Sequence, residues 1–345
     1  MGANPQRSMT AKIISDELVA QARTLIDEAQ RVAIVSHLSP DGDAVGSSLA
    51  MCHFLRALGK EAQVILPNYF PAFFNWLDGA ADILVYEADR KAVQKAIVEA
   101  DLVICLDFNS RRRVNGVKPY LEQTKAKQLL IDHHIDPEEF ADVTISYPDI
   151  SSASELVYCL IEQMGQHSKI TKACAEAIYV GMMTDTGNFS YVSQQPEIYI
   201  IISELLELGI DKDAIYRKVY TNYSESRMRL LGYCLVNKMT VYHEKHTAVI
   251  SLTKEELQQF DFKVGDTEGF VNIPLSIEGI TRSVFVRQDD RKVKLSFRSQ
   301  GNVPVNTIAS EHFNGGGHLN AAGGESLLTL DETLAKLEKV ILELE

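Results

Sequence analysis

The sequence predicts an α/β protein in which a parallel, doubly wound sheet forms the N-terminal domain and a smaller α/β domain with a mixed sheet follows. From about residue 12 to 190, short apolar, β-branched runs alternate with helix-like segments, as in strands covered by helices on both faces. After Asn237 the pattern changes to closely spaced β-rich runs. The 345 residues exceed one ordinary core, so two domains are expected.

Four apolar runs are expected to form the N-terminal sheet: residues 32–35, 62–66, 101–106 and 127–131. The first is followed by turn residues at 39–42 and by an amphipathic helix that ends at Gly59, a residue suited to a helix C-terminus. Residues 151–183 are predicted to be mainly helical, ending at a loop over 184–187.

The predicted domain organisation has four parts. We expect residues 1–10 to be a disordered polar tail, 11–194 the N-terminal domain, 195–237 a helical linker and 238–345 the C-terminal domain, with the boundary near 235. In the C-terminal domain the strands are expected around Val241 and over 248–250, 283–286 and 293–297. A helix over 305–312, a Gly-rich turn and a last helix from Leu330 complete the prediction.

Composition limits the classes of partner. The net charge of −13 argues against a protein that tracks long duplex nucleic acid, because such surfaces are usually basic, but it leaves small phosphorylated ligands open. No apolar stretch is long enough for a bilayer, so no membrane partner is expected. The five cysteines form no Cys-x-x-Cys pair and lie in apolar contexts, which predicts buried, reduced thiols and a cytoplasmic protein.

Polar side chains follow three of the predicted strands, where parallel strands present their carboxyl ends to one crevice. They are His37, Asp41 and Asp43 after the first run, Asp107 after the third, and Asp132, His133 and His134 after the fourth. Asp185 follows a helix and could reach the same place. Each piece alone is typical of a helix cap or a turn. Their joint placement instead predicts a metal site.

A charge count supports this interpretation. Four carboxylates, on Asp41, Asp43, Asp107 and Asp185, would repel one another without cations. Two divalent metals, roughly 3.5–4 Å apart and sharing one carboxylate, would neutralise them. Imidazole combined with hard oxygen ligands, without thiolate, favours Mn²⁺ or Mg²⁺ over structural zinc.

These blocks resemble the DHH phosphoesterase family. The motifs that carry the resemblance are His37-x-x-x-Asp41-x-Asp43, Asp107, Asp132-His133-His134 and Asp185. Near the C-terminus, Gly315-Gly316-Gly317-His318 followed by Ala321-Ala322-Gly323 resembles the signature of the DHH-associated C-terminal domain. The resemblance covers nearly the whole chain and is strongest to bifunctional oligoribonucleases (nano-RNases) that also dephosphorylate 3′-phosphoadenosine 5′-phosphate (pAp).

The resemblance implies a dinuclear centre in the N-terminal domain, with Mn²⁺ favoured and Mg²⁺ or Co²⁺ as alternatives. One metal would be held by His37, Asp41 and Asp107; the other by Asp43, Asp107, His133 and Asp185. A metal-bound hydroxide would attack phosphorus, with Asp107 bridging the metals. His134 would contact the scissile phosphate or assist the leaving oxygen, and Asp132 would orient an imidazole.

The C-terminal block is expected to bind substrate. Three successive glycines could let backbone N–H groups converge on an anion before a helix that starts with small residues, and His318 would add a donor. Arg298 and Ser299 resemble the family's Arg-Ser substrate motif, which implies a terminal phosphate contact. Of residues 111–113, all arginine, one could contact phosphate, with Arg113 as the candidate. Phe189 and Tyr191 could stack on a base, but core packing is expected for both.

We therefore expect an enzyme that hydrolyses pAp and short oligoribonucleotides in a cleft between two domains that move about a hinge. Enzymatic alternatives within the superfamily are a phosphodiesterase for linear or cyclic dinucleotides, a single-strand exonuclease and an exopolyphosphatase. The non-enzyme alternative is a nucleotide-binding regulatory module with a degenerate site. A homodimer is left open.

Overall fold

The computed structural model describes residues 12–344, so the predicted tail over residues 1–10 lies outside them. The chain divides into two compact units, the first ending at Asn222 and the second beginning at Tyr223. This boundary precedes the one predicted near 235, because Leu230 and Cys234 belong to a core of the second unit. The predicted linker over 195–237 is thus divided between the units.

The first unit is an α/β layer structure. Its elements, in chain order, are α1 (Asp16–Glu28), β1 (Arg31–Val35), α2 (Gly42–Ala57), β2 (Glu61–Leu66), β3 (Leu84–Val85), α3 (Arg90–Val98), β4 (Leu102–Leu106), α4 (Lys118–Gln123), β5 (Lys127–Asp132), β6 (Val143–Ser146), α5 (Ala153–Gln163), α6 (Lys172–Asp185), α7 (Pro196–Glu207) and α8 (Lys212–Tyr220). The strands pair in the order β3-β2-β1-β4-β5-β6, all parallel. The predicted parallel sheet is confirmed, and the short edge strands β3 and β6 were not predicted.

Both faces of this sheet are buried, which explains why its strands are continuous apolar runs. In β1, Val32 and Ile34 belong to one core, whereas Ala33 and Val35 belong to a smaller core on the opposite face. β4 alternates in the same way. The strand order reverses between β1 and β4, the point at which doubly wound sheets bind ligands beyond the carboxyl ends of their strands.

Close packing of α2 against α6 brings two motifs together. A Cβ on Gly46 would lie 2.6 Å from the carbonyl oxygen of Ala177, and one on Gly42 would lie 2.3 Å from Thr184 Oγ1. The absence of side chains at these glycines therefore allows the two helices to approach. α6 continues through Asp185, two residues further than predicted, so this carboxylate is carried by the helix end rather than by a loop.

The second unit is built on a mixed sheet. Its elements are α9 (Glu225–Tyr233), β7 (Met239–Tyr242), β8 (Thr247–Leu252), α10 (Lys254–Gln259), β9 (Arg282–Gln288), β10 (Val293–Ser299), α11 (Asn306–His312), β11 (Gly316–His318), β12 (Ala321–Ser326) and α12 (Leu330–Glu343). The order is β11-β12-β10-β9-β8-β7, with β8 and β9 parallel and the other pairs antiparallel. The predicted mixed sheet is confirmed.

The predicted Gly-rich turn and small-residue helix start are wrong. Gly316–His318 is a strand, and Ala321–Ser326 is the strand antiparallel to it. Pairing with β10 determines this conformation, because β12 is hydrogen-bonded along six residue pairs to that longer strand.

All five cysteines are free and buried, as predicted. Within residues 12–344, none of the helices combines the length and the apolar character needed to cross a bilayer.

Candidate active site

Asp107 is the central residue of the site. It follows β4 directly, continues the ladder through its N–H to the carbonyl oxygen of Ile131 at 3.1 Å, and has a left-handed backbone with φ of 62°. A non-glycine residue in this region is strained and is often found at functional sites. Its Oδ2 lies 3.3 Å from His37 Nε2 and its Oδ1 3.5 Å from His133 Nε2. Each carboxylate oxygen thus faces a different imidazole.

His37 has a fixed orientation in the loop after β1. Its Nδ1–H donates to the carbonyl oxygen of Leu38 at 2.9 Å, so Nε2 is the nitrogen that faces Asp107 and, at 3.8 Å, Asp41. The loop itself is held by Leu38 N–H donating to the carbonyl oxygen of Arg113 at 2.7 Å.

The same loop depends on a residue that sequence reasoning missed. The N–H of Ser39, which has φ of 58°, donates to Asn68 Oδ1 at 2.7 Å. Asn68 lies 29 residues further along the chain and belongs to no recognisable motif. It supports the strained turn between His37 and Asp41.

Asp41 and Asp43 stand at the N-terminus of α2. Asp41 is the N-cap, and its Oδ1 accepts from the N–H groups of Asp43 and Ala44 at 3.1 and 3.0 Å. The Asp43 carboxylate accepts from the N–H groups of Ala153 and Ser154, at 2.6 and 2.9 Å, at the start of α5. Two helix N-termini therefore hold these carboxylates in place.

His133 faces the second group of carboxylates. Its Nδ1–H donates to the carbonyl oxygen of Ile150 at 3.2 Å, and its Nε2 lies 3.3 Å from Asp185 Oδ2 and 3.9 Å from Asp43 Oδ2. Among the clusters of potential metal ligands in the described residues are His37–Asp41–Asp107 and Asp43–Asp107–His133, each with its ligand atoms within 4.8 Å of one another. They share Asp107.

The carboxylates clustered in this site favour the binding of cations. Burial and the charges of Asp107 and Asp185 raise the pKa of Asp43 well above its usual range. Burial also opposes ionisation of Asp107, but hydrogen bonds from His133 and His37 hold its pKa well below the ordinary value. Although burial acts to lower it, the pKa of His133 is raised well above its normal value by Asp107 and Asp185, and that of His37 is raised by Asp107. In the absence of metal, the raised pKa values of both imidazoles favour the positive charge that metals would otherwise bring.

The donor set fits a pair of hard divalent ions. Adjacent ligands of an octahedral ion at about 2.1 Å are separated by roughly 3 Å, and the closest imidazole–carboxylate distances here are 3.3 and 3.5 Å. All donors are imidazole nitrogens or carboxylate oxygens, which suit Mn²⁺ or Mg²⁺.

Family models match both halves of the chain: the "DHH family, N-terminal domain" over residues 31–182 and the "DHHA1 domain" over residues 245–343. The chain belongs to the DHH phosphoesterase family. This confirms the resemblance predicted from the motifs.

Individual relatives agree with the DHH assignment. The chain is 30% identical to the bifunctional oligoribonuclease and PAP phosphatase NrnA of Thermus thermophilus, over 90% of this chain and 89% of that protein. It is 28% identical to the protein of the same description from Bacillus subtilis, over 89% and 93% of the two chains. A crystal structure of an exopolyphosphatase-related protein from Bacteroides fragilis is 50% identical, with a TM-score of 0.91 over 96% of this chain and 98% of that chain.

The second histidine of the DHH tripeptide is in a different environment from the first. His134 Nδ1–H donates to Asp132 Oδ1 at 2.7 Å, and both residues are buried. Burial lowers the pKa of His134, while the Asp132 hydrogen bond raises it and the Arg113 charge lowers it. Asp132 therefore supports His134 directly.

The structure distinguishes the three arginines that follow Asp107 in the DHH domain. Arg111 is paired with Glu138 at 3.2 Å and lies over the ring of Phe140, whereas Arg112 is exposed. The charge of Arg113 lies close enough to lower the pKa values of both His37 and His134. Of these three arginines, Arg113 is thus the one whose charge acts on both histidines.

Arg298 and His318 belong to one register row of the DHHA1 sheet. Arg298 in β10 is opposite Ala321 in β12, which is opposite His318 in β11, so the three side chains share a face. Ser299 points to the opposite, buried face, where its hydroxyl donates to the carbonyl oxygen of Val303 at 2.5 Å. The structure therefore places Arg298 and His318 on the same face of the sheet, on either side of Ala321, and Ser299 on the opposite face.

The neighbouring row on this face has little side-chain cover. Ser296 is opposite Gly323, which is opposite Gly316, and both glycines are exposed. A Cβ on Gly316 would meet nothing within 4 Å, and one on Gly323 would meet only the Leu295 carbonyl oxygen, at 3.9 Å. We call Ser296, Gly323 and Gly316 the glycine floor. The fold leaves room for a side chain at both glycines.

At Gly315 and Gly317, the other two glycines of the motif, the fold itself disfavours a side chain. A Cβ on Gly315 would lie 1.9 Å from the Gly323 carbonyl oxygen, and Gly317 has φ of 143°. N–H groups in a strand lie in the plane of the sheet, so those of Gly316 and Gly317 do not converge above its face. The predicted anion-binding turn is wrong on this point.

The two aromatic residues after Asp185 differ. Phe189 packs against the core and lies 5.7 Å from the ring of Tyr179, as expected. Tyr191 is 43% exposed, with its ring against Gly187, so the expectation of core packing is wrong for this residue.

Proposed function

We propose that the chain hydrolyses pAp and short oligoribonucleotides, using two divalent ions, with Mn²⁺ favoured over Mg²⁺ or Co²⁺. The main support for the proposal is the orientation of the Asp107 carboxylate, in which one oxygen faces His37 and the other faces His133. The relatives described as oligoribonuclease and PAP phosphatase support the choice of substrates.

The ligands divide into two sets that share Asp107. His37 and Asp41 would complete one site, and Asp43, His133 and Asp185 would complete the other. When bound, two such ions activate water and neutralise charge on the phosphoryl oxygens. The protein's contribution is orientation: both imidazoles are fixed through Nδ1, and Asp41 and Asp43 through backbone N–H groups.

His134 would act on the substrate rather than hold a metal. Its Nδ1 is engaged by Asp132, so a proton on Nε2 would be the one given to a phosphate or leaving oxygen. Since burial lowers its pKa in the substrate-free protein, the charge of the arriving phosphate would favour its protonation. Arg113 would contact the same phosphate.

The DHHA1 domain would bind the rest of the nucleotide. Arg298 and His318 would bind a phosphate of the nucleotide. The glycine floor presents a flat surface roughly 10 Å across, because neighbouring strands are about 4.8 Å apart, and this suits a nucleobase or a ribose. A flat surface beside a cationic row favours a nucleotide over polyphosphate. The five free, buried cysteines support a cytoplasmic site of action.

The test is hydrolysis of a substrate panel with Mn²⁺: pAp, a ribodinucleotide, a longer single strand, linear and cyclic dinucleotides, and polyphosphate. We expect the highest kcat/KM with pAp and the ribodinucleotide, and no activity from Asp107→Ala. Absence of turnover of both preferred substrates by the wild-type protein would overturn the proposal. Binding of less than one metal ion per chain would favour a regulatory module instead.

A further inference from the structure

The segment over residues 150–155 contacts two of the proposed ligands of one metal. The carbonyl oxygen of Ile150 accepts from His133 Nδ1–H at 3.2 Å. Three residues later, the N–H groups of Ala153 and Ser154 donate to the two oxygens of Asp43. This segment, which we call the α5 entry, therefore sets the tautomer of His133 and the rotation of the Asp43 carboxylate together.

A buried carboxylate, that of Glu155, holds the α5 entry in place through hydrogen bonds. Glu155 is 1% exposed, and its Oε2 accepts from the N–H of Ser151 at 3.0 Å and from the Ser151 hydroxyl at 2.5 Å. The N–H of Glu155 in turn donates to Ser152 Oγ at 3.0 Å. Burying a carboxylate is costly, and Glu155 has no place in the proposed chemistry. Its hydrogen bonds go to the residues between Ile150 and Ala153.

The other metal has ligands that the α5 entry does not hold. His37 is fixed by the carbonyl oxygen of Leu38, and Asp41 by N–H groups at the start of α2. Disturbing the α5 entry should therefore affect one metal site and spare the other. This asymmetry separates a positioning role from a general loss of stability.

We propose that Glu155 is a positioning residue that fixes the α5 entry by accepting hydrogen bonds from Ser151. The α5 entry in turn keeps His133 and Asp43 in the orientation that binds a metal. This metal is the one for which Asp185 is also a proposed ligand. The proposal rests on the metal assignment within the proposed function and is independent of the substrate. Partners of this kind typically change metal affinity by about 10- to 100-fold when removed.

The test is calorimetric titration of Mn²⁺ into metal-free protein, with electron paramagnetic resonance to detect a spin-coupled pair. Glu155→Ala should bind one Mn²⁺ with wild-type affinity and the second at least about tenfold more weakly. When only about one-tenth of the weak site in Glu155→Ala is occupied, the electron paramagnetic resonance spectrum should be mainly that of an isolated Mn²⁺ ion rather than that of a spin-coupled pair. Glu155→Gln, which keeps an acceptor oxygen, should restore most of the affinity.

Glu162→Ala is the matched control, because Glu162 lies on the same helix and pairs with His167, away from the α5 entry. It should bind both ions as the wild type does. Two wild-type affinities in Glu155→Ala, or equal weakening of both sites, would overturn the proposal. If Glu155→Ala does not fold, Ser151→Ala tests the proposal instead. This variant removes the hydrogen bond from the Ser151 hydroxyl to Glu155 and keeps the one from the Ser151 N–H. It must weaken the binding of the second Mn²⁺ only.

The outcome is separable from the choice of substrate. Selective loss of one Mn²⁺ in a protein that fails to hydrolyse pAp would support the role of Glu155 and reject the proposed function. Normal pAp hydrolysis by the wild type, with unchanged binding of both ions in Glu155→Ala, would support the proposed function and reject the role of Glu155.

Discussion

His133 and His134 are adjacent in the chain, yet their rings stand nearly edge to face, with centroids 5.1 Å apart and planes 67° apart. One donates from Nδ1 to a backbone carbonyl oxygen and the other to the carboxylate of Asp132. Their pKa values are shifted in opposite directions, upward for His133 and downward for His134. The two imidazoles of this dipeptide therefore suit the different roles proposed for them, metal binding by His133 and proton transfer by His134.

Replacing Asp132 with asparagine should shift the pH dependence of the reaction. The hydrogen bond to Asp132 raises the pKa of His134 against the effect of burial, so Asp132→Asn lowers that pKa further. If protonated His134 assists the leaving oxygen, the alkaline limb of the kcat/KM profile moves to lower pH. At neutral pH kcat falls about 10- to 100-fold, while the Mn²⁺ content stays at two. An unshifted alkaline limb would contradict this role.

Replacing Asp107 with asparagine should remove the bridge without disrupting the backbone. Asparagine tolerates the left-handed conformation that Asp107 adopts, at φ of 62°. We expect Asp107→Asn to remain folded but to retain at most one Mn²⁺ after dialysis, as measured by mass spectrometry. Asp136→Asn is the control, because Asp136 is exposed and has φ of 52°. Two tightly bound ions in Asp107→Asn would argue against bridging.

Arg113 and Arg112 provide a matched pair for testing the phosphate contact. Arg113→Gln should raise KM for pAp about tenfold or more, the loss expected for a hydrogen bond to a charged group. Arg112→Gln changes the same charge at an exposed position and should leave KM within about twofold. Steady-state kinetics at fixed ionic strength separates the two. Equal effects would mean that only overall charge matters.

The glycine floor can be tested by adding methyl groups. Gly316→Ala and Gly323→Ala add a Cβ where the fold has room, so the melting temperature should not fall. KM for pAp should rise about tenfold, because the methyl group displaces the flat part of the nucleotide. Gly232→Ala, also in open space but in α9, should leave KM unchanged. Unaltered KM in both floor variants would refute the assignment.

The sequence contains enough information to predict the first sheet and the polar residues that gather beyond the carboxyl ends of its strands. β1 and β4 are continuous apolar runs because both sheet faces are covered, and polar residues such as His37 and Asp107 stand out where those runs stop. The strand β11 could not be predicted, since consecutive glycines have low strand propensity and only pairing with β12 orders them. Asn68 and Glu155 act through backbone atoms of distant or unremarkable residues. No spacing rule identifies such contacts.

The N-termini of α2 and α5, which meet the carboxylates of Asp41 and Asp43, also affect the charge of the loaded centre. In the proposed centre, four carboxylates and two divalent ions would cancel formally, whereas each helix N-terminus would add about half a positive charge. Before it binds hydroxide, the proposed centre would therefore carry a net positive charge of about one unit. It should attract a dianionic phosphate monoester more strongly than a monoanionic diester, which gives the end of a nucleotide chain an electrostatic advantage over its interior.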